Sequence, residues 1–220
     1  MSNTPPDSQG QHKNDMYGNI DARNETDAGV EAPIPSATVV LLRDTADGPE
    51  VLMLKKNSKI SFGGMWVFPG GKIDAEDHAD ADDADHAARI AAARETEEET
   101  GLVVEPNPFT WFAHWTPPPG PQKRFTTWFF AAHVQDADDV TIDDGEIKDH
   151  AWINPDAALA RHAKGEIDLV PPTWVTLYHL SRYAPTMWGA GPALGSSGAG
   201  SGTPERIFGG LSLRRVIHVW

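Results

Sequence analysis

Residues 93–101 read ARETEEETG. Four glutamates (Glu95, Glu97, Glu98 and Glu99) fall within five residues, between an arginine and a glycine. Like charges packed this densely on a helix repel one another. Either the segment is a solvated acidic face, or a divalent cation puts the repulsion to use. On a helix Glu95, Glu98 and Glu99 stand at i, i+3 and i+4, so their carboxylates share one face while Glu97 points elsewhere. Three converging carboxylates are hard-oxygen ligands suited to Mg2+, with Mn2+ as the alternative. Arg94, one residue before Glu95 and four before Glu98, is close enough to orient a carboxylate. Gly101 is the expected C-cap.

Upstream of this stretch, residues 84–100 read as an alanine-rich helix, with Asp82, Asp83 and Asp85 near its positive N-terminal end. The segment before it, DAEDHADADDAD at 74–85, is acidic and small. An EF-hand reading of that segment fails, because the required glycine and closing glutamate are missing at their offsets. Further back, ATVVLLR (37–43) is a short β-branched run of the kind a buried strand uses. TADGP (45–49) is a turn and EVLMLK (50–55) the returning strand, giving a hairpin. Residues 56–66 read as a loop, and Phe68-Pro69-Gly70-Gly71 as a tight backbone turn where a ligand can approach closely.

Downstream, residues 102–104, 109–115, 125–134 and 146–153 read as strands. Asn154 or Asp156 is placed to cap a helix over 155–163. PPTWVTLYHLSRY (171–183) opens on proline and carries an apolar stripe, so it reads as a helix. This order, with short strands and one central helix, predicts a mixed α/β (α+β) domain rather than a regular βαβ series. Residues 1–33 are polar and read as a disordered tail, 34–188 as the domain, and 189–220 as a Gly/Ser-rich linker with a C-terminal segment.

Composition narrows the function classes. The 220 residues hold 32 acidic and 18 basic side chains, a formal net charge of −14. That balance argues against a nucleic-acid backbone as the main partner, yet a metal can neutralise a small phosphorylated ligand locally. There is no cysteine, hence no disulfide framework, thiol nucleophile or Cys-based zinc site. The nine histidines form no ligand pattern. No apolar run reaches the roughly 18 residues a membrane span needs, and the first residues lack the basic start and apolar run of a signal peptide. The expectation is a cytoplasmic protein with a small-molecule partner, neither nucleic acid nor membrane, and a homodimer left open.

The glycine turn, the acidic helix and the closing glycine together resemble the signature of the Nudix hydrolases, G-x5-E-x7-R-E-U-x-E-E-x-G-U, where U is bulky and apolar. Arg94, Glu95, Glu98, Glu99, Gly101 and Leu102 match its second half. Thr96 departs from it, being polar where an apolar residue is usual. In the first half, taking Gly71 as the leading glycine puts Asp77 at the glutamate position, while taking Gly70 puts Glu76 there. Sixteen residues separate Asp77 from Arg94 where the pattern has seven, so nine extra residues, acidic and small, sit where the family has a loop. FPGGKIDAED (68–77), TPPPGPQKRFTTWFFAA (116–132) and Pro171-Pro172 are similar to one branch, the peroxisomal-type coenzyme A diphosphatases and their bacterial relatives. Lys55, Lys56 and Lys59 stand where that branch has arginines.

The resemblance implies the Nudix fold, a mixed sheet sandwiched between helices with a loop–helix–loop catalytic unit. It implies hydrolysis of the pyrophosphate in a nucleoside diphosphate linked to another group, coenzyme A or acyl-CoA first. Other candidates are ADP-ribose, a dinucleotide polyphosphate or an oxidised nucleotide. A non-catalytic ligand sensor and a purely acidic interaction protein are the contrasting readings, and the intact Glu95, Glu98 and Glu99 set speaks against both. On this resemblance the metal ligands are Glu95, Glu98, Glu99 and the Gly71 carbonyl, and Arg94 orients Glu95. Glu98 and Glu146 join Arg94 as the catalytic set, Glu146 being either the general base or a plain turn carboxylate. Arg124 and Lys123 bind a phosphate or are surface charges. Of Trp66, Trp111, Trp115 and Trp128, strand aromatics that are core or stack on an adenine, Trp66 joins Arg124 and Lys123 as substrate-binding.

Overall fold

The structure, a computed structural model, describes residues 32–59, 62–118, 123–134, 139–142 and 145–187. The tail reading of 1–33, apart from residues 32 and 33, and the linker and C-terminal readings of 189–220 lie outside the described residues. In chain order the described elements are β1 (Ile34–Thr45), β2 (Gly48–Lys56), β3 (Trp66–Val67), β4 (Gly70–Lys72), α1 (Ala75–Ala79), α2 (Ala84–Thr100), β5 (Thr110–Trp115), β6 (Phe125–His133), β7 (Ile147–Ile153), α3 (Pro155–Ala163) and α4 (Pro171–Met187). They form one mixed sheet in the order β3-β2-β1-β6-β5, with β4 paired to β1 and β7 to β2. β1 runs parallel to β6 and antiparallel to β2 and β4.

The side-chain alternation of the strands divides the core in two. Ala37, Val39 and Leu41 of β1, Leu52 and Leu54 of β2, and Phe130 of β6 face α2, where Ala88, Ala91 and Ala92 meet them. Small alanines there let the helix lie close on the sheet. Val40, Leu42, Val51, Met53, Phe129 and Ala131 face the other way and are covered by Ala158 of α3 and Leu177 and Leu180 of α4. The sheet is thus sandwiched between helices, as the sequence predicts. No helix among the described residues is long and apolar enough to cross a membrane.

Local signals place α2. The Asp83 side chain caps it by accepting the His86 N–H at 2.8 Å. Gly101 ends it in the left-handed conformation (φ 70°), its N–H bonded to the Glu97 carbonyl at 2.8 Å. Thr96, the polar departure from the motif, is fully buried, and its hydroxyl donates to the Ala92 carbonyl at 2.7 Å. The helix itself satisfies that hydroxyl, so the residue fills an apolar position without an orphaned polar atom.

Four expectations change. Residues 102–104 form no strand, and Val103 is 75% exposed with no ladder to join. The glycine turn holds two short strands instead: β3 pairs with β2 and β4 with β1. The nine extra residues are not simply a loop, because α1 and the first turns of α2 absorb most of the spacer. Trp66 belongs to the core: it is 6% exposed, packed in the α3/α4 layer, and its N–H donates to the Asp168 carbonyl at 2.8 Å. That N–H is the backbone's; the ring itself lies in the core cluster with the Arg161 guanidinium of α3 6.0 Å from its centre, and so contributes packing rather than a substrate contact.

Candidate active site

Parity of the strands and the face of α2 bring the charged residues together. Leu52 and Leu54 point toward α2, so Lys56, two residues on, points there as well. At the end of β2 it meets Glu99, which is 4% exposed. The Lys56 Nζ lies 2.6 Å from Glu99 Oε1 and 3.5 Å from Glu146 Oε2, and the Gly70 N–H donates to Glu99 Oε2 at 3.0 Å. Burial pushes the Glu99 carboxyl up to about 7, against the pull of the Lys56 ammonium and the Gly70 N–H. For Lys56, burial disfavours the ammonium, but the charges of Glu99 and Glu146 outweigh it and hold its pKa above the ordinary lysine value.

β4 lies against β1 with Gly71 opposite Ala37, a residue that faces α2. A Cβ on Gly71 would collide with the Glu95 carboxyl group. The missing side chain is therefore what lets Glu95 rest on the β4 backbone. Burial raises Glu95 above the usual carboxylate range even with Arg94 beside it. Glu98, one turn on, is 58% exposed at its side chain.

Arg94 ties these groups together. Its Nε and Nη2 each donate to Asp77 at 3.0 Å, a two-pronged pair, while Nη1 donates to Glu95 at 3.1 Å and to Glu98 at 3.3 Å. Nη2 also reaches the Lys72 carbonyl at 3.1 Å. Hydrogen bonding to Asp77 is the main reason its pKa is raised. Asp77 is 2% exposed and also accepts the Asp74 N–H at 2.8 Å, which caps α1. This decides the first half of the motif: Asp77, counted from Gly71, stands in the glutamate position and faces the arginine.

All these groups open onto one cavity of about 590 Å³. Lys56, Gly71, Arg94, Glu95, Glu98, Glu99 and Glu146 line it together with Lys123, Arg124 and apolar rings. Phe62 and Phe125 lie 5.8 Å apart there, with the Lys123 Nζ 5.7 Å from the Phe125 ring centre. Trp115 and Phe129 also contribute. Every residue of the expected catalytic, metal and substrate set except Trp66 thus reaches this cavity. Lys56 and Asn57 were not singled out from the sequence for any role here. The side-chain alternation of β2 carries the signal for Lys56, whereas no sequence signal marks Asn57.

As they stand, no three acidic or histidine side chains among the described residues are gathered closely enough to enclose a cation. The reason is physical: Lys56 holds Glu99, and Arg94 holds Glu95 and Glu98, so fixed cations balance the carboxylates. The donor set nonetheless fits a hard divalent ion, consisting of carboxylate oxygens beside a glycine backbone with no side chain in the way. Glu99, whose charged form is disfavoured by burial, is a carboxyl group whose ionised state an added positive charge would favour.

The sequence profile of the NUDIX domain family matches residues 33–172. Among solved structures, the NUDIX hydrolase from Alicyclobacillus acidocaldarius is similar at a TM-score of 0.60 and 24% identity, over 68% of this chain and 91% of that one. The NUDIX domain of Shewanella oneidensis NrtR, solved with ADP ribose, is similar at a TM-score of 0.51 and 18% identity, over 72% and 92%. The Nudix hydrolase RenU from M. smegmatis is similar at 0.50 and 17%, over 74% and 90%. At these identities the likeness is one of fold. No curated protein matches the chain.

Proposed function

The chain belongs to the NUDIX domain family and is a hydrolase of the pyrophosphohydrolase type, and from that premise we propose that it cleaves a nucleoside diphosphate linked to a second, partly apolar group, coenzyme A or an acyl-CoA first. One observation carries this reading. A single cavity is lined both by a set of carboxylates, where a metal-dependent attack can occur, and by phenyl rings and two further cations, Lys123 and Arg124. Nudix hydrolases generally use divalent metal ions, and Mg2+ is the ion proposed here. Glu95, Glu98, Glu99 and the Gly71 carbonyl would hold it. When bound, it offsets the anionic charge of the pyrophosphate and lowers the pKa of a coordinated water.

The chain's own residues supply the rest. A water oxygen attacks one phosphorus, the bond from that phosphorus to the bridging oxygen breaks, and two phosphate monoesters leave. Glu146, exposed at the cavity rim 3.5 Å from the Lys56 ammonium, takes the proton of the attacking water. Arg94 holds Glu95 and Glu98 in place from behind, through Asp77. Lys123 and Arg124 meet a substrate phosphate in the same cavity, and Phe62 and Phe125 pack on its apolar part.

Supplying coenzyme A, ADP-ribose and a diadenosine polyphosphate side by side tests this assignment. Coenzyme A split to 4′-phosphopantetheine and 3′,5′-ADP supports it. Preference for either of the others keeps the chemistry and overturns the substrate.

A proton linkage follows from Glu99. Its folded pKa stands near 7, so below that pH the metal must displace a proton, and above it the carboxylate is already ionised. Apparent Mg2+ affinity is expected to fall about tenfold for each pH unit below about 7 and to level off above it. Isothermal titration between pH 5.5 and 8.5 measures this. An affinity flat across that range contradicts a ligand role for Glu99.

A further inference from the structure

We propose that Asn57 is a positioning residue that fastens the Glu146 loop against the end of β2 and so sets the rate of the chemical step. The inference rests on the reading of Glu146 as proton acceptor given above. Three hydrogen bonds carry it. The Asn57 N–H donates to the Glu146 carbonyl at 2.7 Å, and Asn57 Nδ2 donates to the Gly145 carbonyl at 2.9 Å. Asn57 Oδ1 accepts the Lys59 N–H at 3.2 Å. Both ends of the amide are engaged, so its orientation is fixed and its donor is aimed at Gly145.

The backbone is shaped to this end. Lys55 pairs with Asp149 and Lys56 with Ile147, so Lys148 is an extra residue and β7 is bulged. A bulge bends its strand, and here the bend brings Gly145 and Glu146 over Asn57. Lys56, the neighbouring residue, then reaches both Glu99 of α2 and Glu146 with one ammonium. Two adjacent residues at the end of β2 thus join α2 to the loop that bears the proton acceptor. The Glu146 carboxylate is 66% exposed, so backbone anchoring rather than core packing holds it at the rim. A general base must lie within hydrogen-bond reach of its proton, and a misplacement of about 1 Å can lower a rate on the order of a hundredfold.

Asn57→Asp keeps the size and the acceptor for Lys59 but removes the donor to Gly145. Asn57→Ala removes both without adding charge and serves as the second variant. In the full chain with Mg2+ and its best substrate, each is expected to lower kcat tenfold to a hundredfold, on the order set by such misplacement, with KM within about twofold. The deciding comparison is a double-mutant cycle with Glu146→Gln. If Asn57 acts through Glu146, adding either Asn57 variant to Glu146→Gln changes kcat by less than about twofold. If Glu146→Gln is slow and the Asn57 change slows it again by the full factor, the positioning role is overturned while the role of Glu146 stands. An effect of Asn57 on KM alone overturns it as well. If Glu146→Gln matches the wild type, the proton-acceptor reading fails and takes this inference with it. Melting curves of the wild type and of every variant in the two cycles separate misfolding from these outcomes.

Discussion

Glu98→Gln is expected to lower kcat on the order of a thousandfold while shifting the melting temperature by only about a degree. The two halves of that result have different causes. In the folded protein Glu98 is 58% exposed, and it accepts from the Arg94 guanidinium at 3.3 Å. An exposed i, i+4 pair contributes on the order of 0.5 kcal/mol or less, and Arg94 keeps Asp77 and Glu95 when Glu98 is neutralised. The fold therefore barely registers the change. The chemistry does, because a metal-bound carboxylate supports several kcal/mol of transition-state charge stabilisation, and a thousandfold is about 4 kcal/mol. Glu99→Gln is a less clean test. Glu99 is buried, and neutralising it leaves the Lys56 ammonium without its closest partner. Steady-state kinetics with a melting curve on each variant check the distinction. A Glu98→Gln protein that melts normally and retains wild-type kcat contradicts the role given to Glu98.

Arg94→Met is expected to do the opposite and destabilise the fold by about 3–5 kcal/mol, the usual consequence of removing one partner of a buried ion pair. Asp77 is 2% exposed and takes both prongs of the guanidinium. Without Arg94 it is left as a charge with nowhere to be solvated, and Glu95 and Glu98 lose their shared tether at the same time. Pairing the change with Asp77→Leu removes the stranded carboxylate, so the double variant is expected to regain a large part of the lost stability. Its catalysis stays impaired, because nothing then orients the glutamates. Urea unfolding of the wild type, both single variants and the double variant measures the coupling. A loss below about 1 kcal/mol for Arg94→Met would show that Asp77 does not depend on it.

Helix α2 was legible because its signals are local. Carboxylate spacing, an aspartate cap and a closing glycine all lie within about five turns of one helix, and none needs a distant partner. The hairpin of β1 and β2 was legible for the same reason. β3 and β4 were not, because WV and GGK carry no strand period and become strands only by pairing with β2 and β1. α1, five residues of AEDHA, has no apolar stripe and is fixed instead by Asp77 bonding back to the Asp74 backbone. Trp66 illustrates the limit on sites. A strand aromatic near a glycine turn suits a ligand or a core equally, and only its burial in the core cluster beside residues of α3 and α4, distant in sequence, decides between them. Asp77 was visible as one of two register choices. Its pairing with Arg94, seventeen residues away in sequence, is the long-range contact that settles the choice.

The most direct test of the central claim is analysis of the phosphate products made by the purified chain from coenzyme A, ADP-ribose and a diadenosine polyphosphate. Each is run with Mg2+ and with a chelator, beside Glu98→Gln. The account predicts that at least one substrate, coenzyme A first, is cut at a P–O–P bridge, coenzyme A to two phosphate monoesters, only with the metal and only by the unaltered chain. Product formation that persists unchanged in chelator or in Glu98→Gln, or no product from any of the three by a folded wild-type protein, would contradict it.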